Sequence, residues 1–333
     1  MREGTVTIKD IAQEAGCAPS TVSKLLNGGN VWEPQRTRIQ KLLEQYDYRP
    51  NSIAKGLRTK QSYTVGMLYP EFNNFFSMNM MAMLEAQFNK LGYSAVACSS
   101  ENDMGVEQNK LKFLLEKQVD GIVLMPCHTD GRRITDALKG EYVPLVLIDR
   151  LCEGFEADAV LLNNRSISAQ ATSLLLAERS SVAIIGSHDA YTGEQRYLGY
   201  VDAHNHSGHP IHEEYIKDGG YTIDGGYLCM KELWRQQPRP DALFVTNYEM
   251  TVGAIMAINE LGVRIPDELK IIGFDYVGLA KVINREILIV EQPMLSMAKK
   301  AAEQLLKQMS SKDIKKTEQF VLDAKIVNLE GFK

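Results

Sequence analysis

The chain has 333 residues, 44% of them hydrophobic and 24% charged, with a net charge of −5 at neutral pH. That length holds two or three domains with ample core, and no apolar run is long enough to span a bilayer. Met1-Arg2-Glu3-Gly4 is not followed by a signal-like apolar segment, so a cytoplasmic protein with no membrane partner is expected. The five cysteines lie far apart without a CxxC pair, and Cys98, Cys127 and Cys229 fall in apolar runs, which argues for reduced thiols over disulfides or zinc ligands.

The charge is unevenly spread. Residues 1–60 carry ten Lys and Arg against six Asp and Glu, a charge of +4, which leaves −9 on the remainder. Because phosphates are neutralised locally, a basic head on an acidic body can grip nucleic acid while the body is repelled from it.

The head begins with Thr7, whose hydroxyl can cap a helix with Asp10 three residues on, and Ile8, Ile11, Ala12 and Ala15 form one apolar stripe. Gly16 stops this helix. Pro19 suits the first turn of a second, in which Val22, Leu25 and Leu26 face inward while Ser20, Thr21 and Lys24 face out, and Asn27-Gly28-Gly29 ends it. Neither helix is long enough to persist alone. Pro34 opens a third, with Ile39, Leu42, Leu43 and Tyr46 at helical spacing, and the three share one core. A helix-turn-helix of this kind places its second helix in the major groove of DNA.

This stretch resembles the headpiece of the LacI/GalR family of transcriptional regulators, through Thr7-Ile8-Lys9-Asp10-Ile11-Ala12, Ala15-Gly16, Thr21-Val22-Ser23, Leu26-Asn27, Tyr48-Arg49-Pro50-Asn51 and Ala54 to Leu57. The resemblance implies base-choosing positions at Pro19 and Ser20, with Thr21 and Lys24 beside them, and further DNA contacts at Thr7, Ser23 and Asn27. Ala18 stands where the family has a capping Ser, and Lys24 where it has Arg. A lysine makes a point contact to guanine rather than a two-pronged one, so looser discrimination is expected there.

Pro50 biases Arg49 away from helix and Asn51 can cap a marginal helix through Leu57 and Arg58. In the family this is the hinge, paired between subunits in the minor groove, with the leucine wedged between base pairs. The resemblance therefore carries Asn51, Ala54, Lys55 and Leu57 onto DNA. An apolar wedge unstacks a step at a cost of a few kcal/mol that new contacts recover.

From Tyr63 short apolar runs alternate with helical stretches. Strands are expected at residues 64–69, 94–98, 121–125, 145–148, 159–162, 182–185, 242–245, 270–273 and 287–290, with helices between most of them. The fold class is α/β: an N-terminal three-helix helix-turn-helix headpiece plus a periplasmic-binding-protein-like core of two Rossmann-like lobes, the last being what the resemblance implies. The expected domains are the headpiece over 1–49, hinge helix and linker over 50–61, and an effector-binding core over 62–333. Within the core the first lobe takes about 62–162 and 293–319 and the second about 163–292 and 320–333, with crossings near Asn163, Gln292 and Phe320.

Ligands of open parallel sheets sit beyond the C-terminal strand ends, where polar residues cluster here. The candidates are Asn73, Asn74, Phe75, Ser100, Asp103, Asp149, Arg150, Asn163 and Asn164, then Arg196, Asn247 and Asp275 in the second lobe. The resemblance carries Arg150, Arg196, Asn247 and Asp275 onto effector contacts, Asp275 within Gly273-Phe274-Asp275 being the firmest. Amides, carboxylates and guanidinium groups suit the adjacent hydroxyls of a sugar, and Phe75, Tyr248 or Tyr276 suits its ring face. Tyr248 and Asn163 each replace a family Asp, and the Gly-His pair that the family has before Val182 is absent.

His204, His206, His209 and His212 invite a metal reading, but Gly208 and Pro210 break the segment into what is expected to be an exposed loop. No GxSxG, HExxH, Walker or GxGxxG motif is present, so no catalytic residue, metal or cofactor is expected and the chain is not read as an enzyme. The reading is a homodimeric transcriptional repressor that binds a double-stranded DNA operator and is controlled by a small-molecule effector, a sugar or sugar derivative. The alternatives are a regulator driven mainly by a protein corepressor touching the first lobe, and a solute-binding protein.

Overall fold

The computed structural model describes residues 6–26, 28–48, 61–187, 190–275, 286–311 and 316–328. The chain divides into two compact units, residues 1–62 and 63–333.

In the first unit α1 (Ile8–Ala15), α2 (Pro19–Leu26) and α3 (Glu33–Gln45) close around Ile11, Ala12, Ala15, Val22, Ile39 and Leu42. The start of α1 is a reciprocal cap. The Thr7 N–H donates to the Asp10 carboxylate at 2.8 Å, and the Asp10 N–H donates to the Thr7 hydroxyl at 3.4 Å. Gly16 ends the helix at φ 66°, the left-handed conformation that glycine adopts without a Cβ clash. Tyr46, expected in the core, is instead exposed at the end of α3, because its hydroxyl donates to the Glu14 carboxylate at 2.8 Å. That bond and the one from Arg38 Nη2 to the Glu14 carbonyl, 2.9 Å, tie α3 to the end of α1.

The second unit holds two six-stranded sheets. In chain order its elements begin with β1 (Thr64–Tyr69), α4 (Phe75–Lys90), β2 (Ser94–Ser99), α5 (Met104–Glu116), β3 (Gly121–Leu124), α6 (Arg132–Ala137), β4 (Leu145–Ile148) and β5 (Asp158–Leu162). Next come α7 (Asn164–Leu176), β6 (Val182–Gly186), α8 (Tyr191–Ser207), β7 (Ile216–Asp218), α9 (Ile223–Arg235), β8 (Ala242–Val245), α10 (Tyr248–Leu261) and β9 (Lys270–Phe274). The described elements end with β10 (Leu288–Glu291), α11 (Met294–Ser310), β11 (Gln319–Leu322) and β12 (Lys325–Val327).

The first sheet runs β11-β5-β4-β3-β1-β2, all parallel. The second runs β12-β10-β9-β8-β6-β7, parallel except for the β10–β12 pair. Successive strand residues face opposite sides. On the first sheet Met67, Val123, Val146 and Val160 pack with Met80, Leu84, Met297 and Leu305. Leu68, Ile122, Leu147 and Leu161 pack with Leu111, Leu114 and Ile134 on the other side. Both sheets are thus covered on both faces, as parallel sheets require. Burying each such side chain stabilises the fold by roughly 1.5–3 kcal/mol.

Three short edge strands, β7, β11 and β12, were not expected. β11 and β12 also relocate one passage between lobes. Phe320 pairs with Val160 in the first sheet, so the chain crosses after Leu322, at Asp323 and Ala324, rather than at Phe320. The other passages lie between β5 and α7 and between β10 and α11. Among the described residues no helix is long and apolar enough to cross a membrane.

The histidine segment also departs from the expected loop. His204 and His206 lie on the last turns of α8, and His204 is buried, its ring tilted against that of Tyr200 with centroids 4.5 Å apart. Among the described residues no group of three or more His, Cys, Asp or Glu side chains is placed to hold a metal ion.

Candidate functional site

On the headpiece, Pro19, Ser20 and Lys24 are exposed on α2, with Thr21 and Ser23 partly so. Thr7 is exposed, but its hydroxyl and N–H are engaged with Asp10. The Thr7 hydrogen bonds hold the Asp10 carboxyl below its usual range. Asn27, Asn51, Ala54, Lys55 and Leu57 lie outside the described residues.

In the core, two aspartates hold equivalent places. Asp149 follows β4 and Asp275 follows β9, and both have left-handed backbones, φ 67° and 80°. Non-glycine residues adopt that conformation at a cost, and it persists where surrounding bonds enforce it. Here the Asp149 N–H donates to the Val160 carbonyl at 2.9 Å and the Asp275 N–H to the Val290 carbonyl at 2.8 Å. Both carboxyls are buried, and burial raises their proton affinity against the pull of nearby arginines.

Those arginines come from both lobes. Arg150 Nε is 3.7 Å from Asp149 Oδ2, and its Nη1 donates to the Pro126 carbonyl at 3.4 Å. Arg196, on α8, is buried, its Nε donating to Asn164 Oδ1 at 2.8 Å and its Nη1 to the Thr246 carbonyl at 2.6 Å. Its guanidinium lies 3.9 Å from the centre of the Phe274 ring. Arg196 acts electrostatically on Asp149 and on Asp275, so one charged cluster spans the two lobes. Tyr221 joins it: burial raises its phenol pKa while Arg150 and Arg196 pull it down.

The opposite wall brings α4 and α10 together. The Phe75 and Tyr248 rings lie 4.5 Å apart, and the Phe75 N–H donates to Glu249 Oε1 at 2.8 Å. Asn247 caps α10 by accepting the Met250 N–H at 2.9 Å, and its amide donates to Glu249 Oε2 at 2.8 Å. Burial raises the Glu249 carboxyl, with Asp275 and Glu71 adding to it. A cavity of about 450 Å³ is lined by Phe75, Asn79, Asp275, Gln292 and Asp323 among others, within the usual size of a small-molecule site.

Of the charged cluster only Asp275 lines that cavity; within and beside the cluster Asp149 Oδ1, Asn164 Nδ2, Thr246 Oγ1 and Gln292 Oε1 are buried without a hydrogen-bond partner among the described residues. Buried polar groups are almost always paired, so these four atoms offer donor and acceptor capacity beside the charged cluster. Gln292 also donates to Asp275 Oδ1 through its amide.

Three candidates are occupied otherwise. Asn74 caps α4, accepting the Ser77 N–H at 3.1 Å. Asp103 is exposed and caps α5, accepting the N–H groups of Gly105 and Val106 at 2.7 and 2.8 Å. Asn163 accepts the Ala324 N–H at 2.9 Å and donates to Asp323 at 3.0 Å, tying two interlobe passages together. Conversely, the sequence does not single out Tyr221 and Thr246 at the charged cluster, Glu249 at the α4–α10 contact, or Gln292 in the cavity wall as site residues. Gln292, read from the sequence as a crossing, follows the C-terminal end of β10, and that position is the signal that marks it.

Residues 7–51 match the model for bacterial regulatory proteins of the lacI family, and residues 173–328 match a periplasmic binding protein-like domain. The chain is 30% identical to catabolite control protein A of Priestia megaterium over 313 residues, covering 93% of this chain and 94% of that one. It is 30% identical to the ribose operon repressor of Haemophilus influenzae over 308 residues, covering 92% of each. Among solved structures, the lac repressor dimer bound to operator and the anti-inducer ONPF superposes with a TM-score of 0.85 at 19% identity, over 97% of this chain and 98% of that one. The transcriptional regulator CelR in complex with cellobiose superposes with a TM-score of 0.72 at 24% identity, over 98% of this chain and all of that one.

Proposed function

This chain belongs to the lacI family of bacterial regulatory proteins, and from that premise we propose that it is a homodimeric, cytoplasmic transcriptional repressor whose grip on a DNA operator is set by a small molecule bound between the core lobes. The observation that carries this reading is the interlobe cluster of Arg150 with buried Asp149, Arg196 and Asp275, in the same chain as an exposed helix-turn-helix face.

The effector is a sugar or sugar derivative. Carboxylate, guanidinium and amide groups converging from two lobes match vicinal hydroxyls, which donate and accept at once. The contacts are Asp149, Arg150, Asn164, Arg196, Asp275 and Gln292, with Phe75 on the ring face, while Asn247 is held by its cap of α10 and its bond to Glu249. Asn74, Asp103 and Asn163 serve the scaffold instead. On the DNA side Pro19, Ser20, Thr21 and Lys24 enter the major groove, and Asn51, Ala54, Lys55 and Leu57 form the hinge contact in the minor groove.

The two sites are coupled by linkage. A ligand that prefers one lobe arrangement, while the hinge forms only in the other, changes operator affinity by about 1–3 kcal/mol, and the operator changes ligand affinity equally. Thermal shifts across a panel of sugars, sugar acids, sugar phosphates and nucleobases, repeated with Asp275→Asn, test the cleft. A sugar that stabilises the wild type but not the variant is the expected result; stabilisation by nucleobases alone would reject the sugar assignment.

A further inference from the structure

Trp32 is 72% exposed, the most exposed of the large hydrophobic side chains among the described residues. Its backbone is anchored on both sides. Val31 before it is buried, Glu33 after it opens α3, and the Arg36 N–H donates to the Trp32 carbonyl at 3.0 Å. An indole fixed in water forgoes the gain of burying its large apolar surface, so a partner that covers it is favoured.

The loop that carries Trp32 leans on the DNA-reading helix. The Gly29 N–H donates to the Lys24 carbonyl at 2.8 Å, and a Cβ added at Gly29 would come 2.6 Å from Lys24 Cγ, so the Lys24 stem lies against this loop. Glu33, the nearest carboxylate in sequence, is offset by Arg36 at 3.9 Å. The ring is thus carried by a loop that packs on α2, on a head with an excess of basic residues, a setting complementary to a phosphate backbone.

We propose that Trp32 is a DNA contact, its ring packed on the sugar-phosphate backbone at the edge of the groove that α2 enters. This rests on the reading of α2 as the DNA-reading helix. The contact is apolar and touches no base edge, so it adds affinity to every sequence alike and releases no counterion.

The chain's two tryptophans are Trp32 and Trp234, so Trp234→Phe in the full-length protein leaves Trp32 as the single indole reporter. Its emission is followed on adding a short duplex selected by this protein from a randomised pool, and a scrambled duplex at low salt. Both should alter the emission and shield the ring from acrylamide. Trp32→Ser should weaken both duplexes about tenfold, the scale of burying part of one large apolar side chain. The slope of log K against log salt should stay unchanged, whereas Lys24→Ala should reduce it by about one. Unchanged emission and quencher access at saturating DNA overturns the proposal, as does wild-type affinity in Trp32→Ser. A shift that depends on protein concentration without DNA assigns the ring to a contact between copies and overturns it too. If neither duplex binds, the DNA reading itself has failed, which separates that failure from this one.

Discussion

The Phe75 N–H and the Glu249 carboxylate meet at 2.8 Å, joining the first turn of α4 in one lobe to the first turn of α10 in the other. A carboxylate there faces the positive ends of two helices at once, while the Phe75 and Tyr248 rings pack beside it. The lobes are thus latched across the cleft by the chain's own groups.

Replacing Glu249 with Gln keeps the shape and removes the charge. The lobe arrangement that holds this bond should lose about 1.5–3 kcal/mol, the scale of one hydrogen bond to a charged group. Small-angle scattering should then show a larger radius of gyration without ligand, and a cleft ligand should associate faster. An identical scattering profile and rate would leave the latch without a role.

Arg196 should tolerate Lys poorly despite the conserved charge. Its planar fork bonds Asn164 and Thr246 while its face covers Phe274, and a lysine can do only part of this. Arg196→Lys should reduce ligand affinity by tenfold or more, about 1.4 kcal/mol, with the far-ultraviolet circular dichroism spectrum retained. Calorimetric titration with a ligand from the panel checks this.

Gly253 sets how closely α9 and α10 approach. A Cβ there would lie 1.9 Å from the Ile223 carbonyl oxygen and 2.6 Å from the Tyr227 nitrogen, both backbone atoms that cannot yield without moving a helix. Gly253→Ala should therefore destabilise the core by about 1–3 kcal/mol, the usual cost of overpacking. A lowered urea midpoint with unchanged m-value is the expected signature.

His204 makes stability depend on pH. Burial lowers its pKa from 6.5, with its Nδ1 against the His209 carbonyl at 3.2 Å. The unfolded chain then takes up a proton that the folded chain resists, so this contribution is complete above pH 6.5 and is lost as pH falls toward the folded-state pKa. His212 adds to the same effect and the backbone carbonyls oppose it. The wild-type melting temperature should drop on going from neutral to mildly acidic pH, and His204→Phe should flatten that drop.

Much of this was legible in the sequence. Runs such as Leu145–Ile148 and Ala242–Val245 are short, continuous and apolar, as strands buried on both faces must be, and the Thr7–Asp10 cap and Gly16 stop are local signals. β7, β11 and β12 were not legible, because short, partly exposed edge strands carry little hydrophobic pattern. The cleft was legible where a residue follows a strand, as with Asp149, Arg150 and Asp275. Glu249 was not, since an acid in a helix first turn reads as an ordinary dipole partner, and its bond to Phe75 spans 174 residues. What was not legible at Asn163 is that its side chain bonds Asp323 and Ala324, far along the chain, which local sequence does not signal.

Whether the cleft and the DNA-reading head share one equilibrium is tested most directly by measuring operator affinity at fixed salt with and without a saturating cleft ligand, in wild type and in Asp275→Asn. A change of about 5- to 150-fold in the wild type, matched by an equal change in ligand affinity when operator is saturating and absent in the variant, is predicted. The same operator affinity at zero and saturating ligand, with the ligand shown to occupy the cleft, would contradict it.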